Sequence, residues 1–197
     1  MTGKPWDQRL ANIVVRPLAA TQIHPNHLTA LSFLCGLGAA AVFAMAAESA
    51  GGWGAGLYML AVFTDHTDGE LARMTGKTSE FGRRLDYIVG SANYTLLFAG
   101  LGIGLAAGDM GAWALALGLA AAACQPMTVM LRMGLERRHG AAAVEHPSYA
   151  GFELEDFIYL IGPITWLGGL EYFFLVFGFG AIGYFGWTLI EVAKRRT

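Results

Sequence analysis

Charge is scarce in this 197-residue sequence: 14% of residues are Asp, Glu, Lys or Arg, 55% are hydrophobic, and mean hydropathy is +0.46. Soluble domains carry about 25% charged residues, so the composition excludes that class and reads as a membrane protein. A basic surplus is also lacking. Thirteen Lys and Arg against 15 Asp and Glu leave a net charge of −2, which argues against a nucleic-acid surface. Cysteine is limited to Cys35 and Cys124, far apart inside apolar runs. That excludes a disulfide scaffold, a CxxC redox pair and a sulfur-rich metal site, and both cysteines read as small buried apolar residues. No GxSxG, HExxH or P-loop occurs, which removes esterase, zinc-protease and NTPase chemistry. Gly178, Gly180 and Gly183 spell GxGxxG, but no strand precedes them. Like Gly100, Gly104 and Gly108, they read as sites of close helix packing within a membrane.

What the sequence has is apolar runs. A spanning helix needs about 20 mostly apolar residues, and six stretches qualify: 28–47, 52–74, 85–108, 111–133, 156–170 and 171–193. The expected fold is therefore all-α and integral to the membrane, a single domain over 1–197 with a six-helix bundle over 28–193. A five-span alternative treats the last two stretches as one. With six spans and a cytoplasmic N-terminus, all 13 Lys and Arg fall on one side, near Lys4 to Arg16, Arg73 to Arg84, Arg132 to Arg138 and Lys194 to Arg196. The positive-inside rule favours that arrangement, with both termini cytoplasmic. Ahead of the first span, in segment 1–27, Trp6, Leu10, Ile13, Val14 and Pro17 recur at helical spacing between polar residues. This reads as an interfacial amphipathic helix that the mature chain keeps.

The chemistry gathers in residues 63–94. Asp65, Asp68, Glu70 and Asp86 lie with Arg73, Lys77, Arg83 and Arg84 at the cytoplasmic ends of two spans, and ionisable groups at such depth mark function. On a continuous helix Asp65 and Asp68 share a face, and Asp86 reaches them from the next helix. A carboxylate set without Cys or paired His favours Mg²⁺ or Mn²⁺ over zinc. Such ions suit phosphate chemistry, since they neutralise a pyrophosphate and stabilise the leaving group. Gly69 and Ala72 leave the helix face nearly bare for a flat ligand, and Arg73 one turn on can grip a phosphate. The plain alternative is a set of acids paired with neighbouring arginines at a helix end.

The stretch resembles the motif of the CDP-alcohol phosphotransferases, DxxDGxxARx8GxxxDxxxD. Asp65, Asp68, Gly69, Ala72, Arg73, Gly82 and Asp86 occupy seven of its eight fixed positions. The segment from His24 to Thr29 also resembles the Pro-Asn-x-x-Thr sequence that opens the first span in that family. The resemblance implies an integral-membrane enzyme of phospholipid biosynthesis, usually a homodimer. Such an enzyme releases CMP from a CDP-linked donor, with CDP-diacylglycerol the expected one, and uses an acceptor alcohol and Mg²⁺ or Mn²⁺. It also implies that Asp65, Asp68 and Asp86 hold metal, that Gly69, Ala72 and Gly82 line the cytidine pocket, and that Arg73 stands near the phosphates.

The eighth position departs from the motif. It is Gly90 here, where the family's aspartate is thought to activate the acceptor hydroxyl and help hold metal. Base assistance of this kind contributes on the order of 10² to 10⁴ in rate. Three readings stay open. Another group serves as base, with His66 and Glu155 the candidates beside Glu153 and Asp156. The chain binds nucleotide or lipid with little or no catalysis. Or its acceptor needs less activation. A transporter would instead place polar residues midway along several spans.

The remaining polar residues carry milder expectations. Glu153, Glu155 and Asp156 also suit a helix N-terminus. His24 and His27 read as interfacial, and His139 and His146 as solvated. Arg132, Arg137 and Arg138 form a positive-inside loop or an anion-attracting patch. Trp53, Trp113, Trp187 and Tyr94 read as anchors or packing groups. Asn93 can hydrogen-bond a ligand but cannot act as a base.

Overall fold

A computed structural model describes the backbone of residues 6–47, 50–140 and 154–195, and their side chains except at 6–11 and 154–155. Among these residues the chain is helical and without strands. In order come α1 (Trp6–Ala19), α2 (Pro25–Ala44), α3 (Ala50–Thr75), α4 (Glu80–Ala106) and α5 (Ala112–His139). A 3₁₀ helix (Leu154–Leu160), α6 (Ile161–Trp166) and α7 (Leu170–Lys194) follow.

Four of these, α2, α4, α5 and α7, are long and apolar enough to cross a membrane. The chain is therefore an all-α membrane protein, but six uniform spans are not what the described residues contain. The second expected span is a single 26-residue helix, α3, whose second half carries Asp65, Asp68, Glu70 and Arg73. Its lower hydropathy, not its length, separates it from the other four. The fifth expected span, 156–170, is broken into the seven-residue 3₁₀ helix and the six-residue α6. Gly168, at φ +81, turns the chain before α7, so the last two stretches remain distinct elements, as expected.

The bundle is built around α4, which lies between α2 and α5. Helix α2 also packs on α3, α5 on α7, and α6 on α3. Ala39 and Phe43, Tyr58, Leu97 and Phe98, Leu117, and Phe173 and Phe174 meet in the core. Apolar side chains also cover the outside, among them Leu34, Ile103, Val176 and Ile190. In water such a surface invites aggregation, whereas facing lipid it is the stable arrangement. Trp53, Trp113 and Trp187 are exposed, in keeping with anchors, whereas Tyr94 is part-buried against the core. Cys35 is buried, but Cys124 is only partly so. Its expected burial fails because its stretch of α5 faces outward on one side.

Glycine sets how closely α4 meets its neighbours. A Cβ at Gly100 would lie 2.5 Å from the carbonyl oxygen of Ala40, and one at Gly104 would strike the carbonyl of Phe43. On the other side, a Cβ at Gly118 would lie 2.7 Å from the Cα of Gly102. Backbones this close give the van der Waals packing that holds membrane helices together. Gly178 packs on Leu117, but Gly180 and Gly183 face open space and Gly108 meets only its own turn. Within this chain those three meet no partner helix.

Helix α1 docks on α3. Val15 is fully buried while Ile13 and Val14 remain exposed, so the apolar face foreseen for lipid stays available. Asn12, assigned to the polar face by its spacing, instead donates to Glu70 Oε1 at 2.7 Å. At the start of α2, the His24 ring accepts from the Asn26 backbone N–H at 3.2 Å, and the His24 N–H donates to the His27 ring. These two histidines thus cap a helix.

Candidate active site

The turn between α3 and α4 positions the acidic motif. Gly76 has φ +66, a left-handed conformation that glycine adopts without strain. The next residue, Lys77, donates its backbone N–H to Ala72 O at 3.0 Å, closing α3 in a Schellman-type end. Ser79 then caps α4 by accepting from the Gly82 N–H at 2.9 Å. With so short a connection, the end of α3 and the start of α4 lie side by side. Asp65, Asp68 and Asp86 converge until one carboxylate oxygen of each lies within 4.8 Å of the others.

Helix α2 supplies neutral donors to this cluster. The Thr29 hydroxyl donates to Asp68 Oδ2. Ser32 Oγ lies 2.9 Å from Ala61 O and 3.4 Å from Asp65 Oδ1, while Asn93 Nδ2 donates to Ser32 at 2.9 Å. Hydroxyls orient Asp65 and Asp68 but bring no positive charge. Three converging carboxylates with all-oxygen donors suit a hard divalent cation, so the residues fit Mg²⁺ or Mn²⁺.

Two spaces meet at the triad. The larger, about 440 Å³, is lined by Asp68, Gly69, Ala72, Arg73, Gly82 and Asp86, a volume typical of a small-molecule site. Those are six of the seven residues expected at a nucleotide site. The seventh, Asp65, lines a smaller cavity of about 40 Å³ together with His66, Gly90, Asn93, Tyr58 and Tyr94. Tyr94, read from sequence as an anchor or packing residue, therefore belongs to the site's inner wall.

Lys77 and Arg83, grouped with the acids by the sequence, also line the larger pocket, whereas Asn26 and Thr29 on α2 and Ser79 in the turn were not named as its walls. A signal existed for Asn26 and Thr29, since they lie in the Pro-Asn-x-x-Thr segment. Gly82 is hemmed in, because a Cβ there would lie 3.1 Å from Ser79 Oγ and 3.4 Å from Asn26 Oδ1. Arg73 is held by Glu70 Oε2 at 2.7 Å and 3.0 Å, and its guanidinium lies over Gly69. Glu70 is 2% exposed and also accepts from Asn12, so one buried carboxylate ties α1, α3 and the arginine of the pocket together.

The candidate bases separate. His66 lies on the cavity wall, with its Nδ1 3.5 Å from the Tyr159 hydroxyl. Asp156 is buried, while the side chain of Glu155, and Glu153 and His146 entirely, lie outside the described residues. Arg132 pairs with Glu191 at 3.7 Å and sits 5.5 Å above the Tyr184 ring, a contact between α5 and α7.

No curated protein matches the chain. Among solved structures, it is similar to phosphatidylinositol phosphate synthase of Mycobacterium tuberculosis, crystallised with CDP-DAG bound, with a TM-score of 0.71 over 93% of this chain and 94% of that one. At 18% identity that likeness shows the fold. A family model described as CDP-alcohol phosphatidyltransferase matches residues 22–189, a stretch containing the triad, the larger pocket, α2, α4, α5 and most of α7, and the chain is accordingly an integral-membrane member of the CDP-alcohol phosphatidyltransferase family.

Proposed function

We propose that the protein transfers a substituted phosphate group from a CDP-linked donor, CDP-diacylglycerol, to an acceptor alcohol with release of CMP. One observation carries this reading: the carboxylates of Asp65, Asp68 and Asp86 converge within 4.8 Å at the edge of a pocket of about 440 Å³. In the similar mycobacterial structure the bound molecule is CDP-DAG, which supports the same donor class here.

The pocket's own groups divide the work. Asp65, Asp68 and Asp86 hold Mg²⁺ or Mn²⁺, which supplies charge neutralisation for the pyrophosphate and the departing CMP. Gly69, Ala72 and Gly82 admit the flat cytosine. Arg73, steadied by Glu70, and Lys77 bind phosphate oxygens. Thr29 holds Asp68 in place from α2. His66, on the cavity wall, takes the proton of the acceptor, with Glu155 the alternative.

In the membrane, α3 and the broken segment 154–166 complete six passes with the four apolar helices, both termini and the triad lie on the cytoplasmic side, and the working unit is a homodimer. Segment 1–27 lies in the interface ahead of the bundle over 28–193. Gly90 favours a second reading, a catalytically impaired or non-catalytic nucleotide- or lipid-binding member of the same fold.

The test is CMP release by the purified protein with CDP-diacylglycerol, Mn²⁺ and a panel of acceptor alcohols, beside Asp68→Ala. Acceptor-dependent release is expected, with a loss in the variant exceeding the roughly 10- to 100-fold typical when only an outer partner of a metal ligand is removed. Metal-dependent donor binding without release under any acceptor would instead establish the non-catalytic reading.

A further inference from the structure

The cavity of about 40 Å³ beside Gly90 is small, and its wall mixes Val62 and two tyrosines with Asp65, His66 and Asn93. A water molecule needs roughly 10–15 Å³ of such space, so two or three fit, whereas a whole polyol does not. Tyr58, completely buried, lines this cavity, and its hydroxyl has no hydrogen-bond partner. Asn93 is also on the wall, but its Oδ1 is turned toward Gly36 of α2. The carboxylate of Asp65 and the ring of His66, on the same wall, are the groups that could bind water there.

The cavity's place matters as much as its lining. Asp65 is on its wall, while Asp68 and Asp86 line the larger pocket, and the three carboxylates lie within 4.8 Å of one another. A group in the cavity is thus one carboxylate away from a phosphate held at the triad. At Gly90 a Cβ would meet nothing nearer than Asp65 Oδ2 at 3.9 Å. The glycine leaves open a space that any side chain would take.

We propose that this cavity holds water as a nucleophile, and that the protein hydrolyses its CDP-linked donor when no acceptor alcohol is present. The inference rests on the transferase reading of the donor pocket. The water oxygen forms a bond to the phosphorus distal to cytidine, and the bond from that phosphorus to the bridging oxygen breaks. CMP leaves with the bridging oxygen and the electron pair, the released proton passes to surrounding water, and the lipid part remains as a phosphomonoester. No oxidant or further reactant is required.

Two experiments test this. In a crystal structure of the metal-free protein, ordered water is expected in this cavity within hydrogen-bond reach of the Asp65 carboxylate, and a dry cavity there overturns the proposal. In ¹⁸O-labelled water, the purified protein with CDP-diacylglycerol, Mn²⁺ and no acceptor is expected to give CMP and a phosphomonoester carrying one ¹⁸O. Gly90→Ala, whose methyl takes up part of that space, is expected to lower that reaction, with metal-dependent donor binding confirming that the variant folds. Acceptor-dependent CMP release with no labelled phosphomonoester overturns hydrolysis and leaves the transferase reading standing. Donor binding with no CMP release in any condition overturns both.

Discussion

Gly90 and Gly100 lie on the same helix, α4, and are glycine for opposite reasons. At Gly100 a Cβ would lie 2.5 Å from the backbone of α2, while at Gly90 the nearest atom would be 3.9 Å away, on Asp65. The second half of α4 is thus a packing surface on which the absent side chain brings two backbones together. The first half is a chemical surface, where packing has no need of the absent side chain and the consequence is an open cavity against the triad. A glycine in a membrane helix is therefore not by itself a packing residue. Its neighbours decide.

The largest expected effect comes from filling the chemical glycine. Gly90→Asp should fold normally and raise acceptor-dependent CMP release by on the order of 10² to 10⁴, the usual worth of a positioned base, while acceptor-independent release falls. Steady-state assays with and without acceptor measure both, and an unchanged transfer rate would show that a group such as His66 already supplies the base. Filling the packing glycine should do the reverse. Gly100→Val is expected to cost about 1–3 kcal/mol through overpacking against Ala40, read as a lower unfolding temperature in detergent; an unaltered melt would remove the contrast.

A smaller effect tests whether contacts at the site's edge position groups rather than pack them. Asn12→Ala removes the hydrogen bond from α1 to Glu70 and should cost about 0.5–1.5 kcal/mol. It should also weaken metal-dependent donor binding through Arg73, as titration calorimetry would detect. Smallest is Gly90→Ala, expected to stabilise α4 by up to about 1 kcal/mol, because alanine is the better helix former and its methyl meets open space. A lower melting temperature would mean that the cavity is tighter than its 3.9 Å clearance indicates.

The acidic motif was legible because its chemistry is periodic. Carboxylates three residues apart share a helix face, and Asp65, Asp68 and Asp86 do meet. Long apolar runs located α2 and α7 to within three residues and the ends of α4 and α5 to within six, since length and hydropathy are properties of the segment alone. Two features defeated that reasoning. The run 156–170 is as apolar as a span requires, yet it folds as a 3₁₀ helix followed by a short α6, and hydropathy carries no information about where a helix breaks. Asn12 reads as solvent-facing on its own helix, but its partner Glu70 is 58 residues away, beyond the reach of any local pattern.

By itself, then, the sequence determined the medium, the four long apolar helices and the acidic motif, because each follows from side-chain polarity and spacing along the chain. Only the tertiary structure decided what each glycine is for, that Thr29 and Ser32 of α2 hold the carboxylates, and that Tyr58, Asn93 and Asp65 line a small cavity at Gly90. Those facts depend on distances between helices, and such distances are set by how backbones pack, which no single segment encodes.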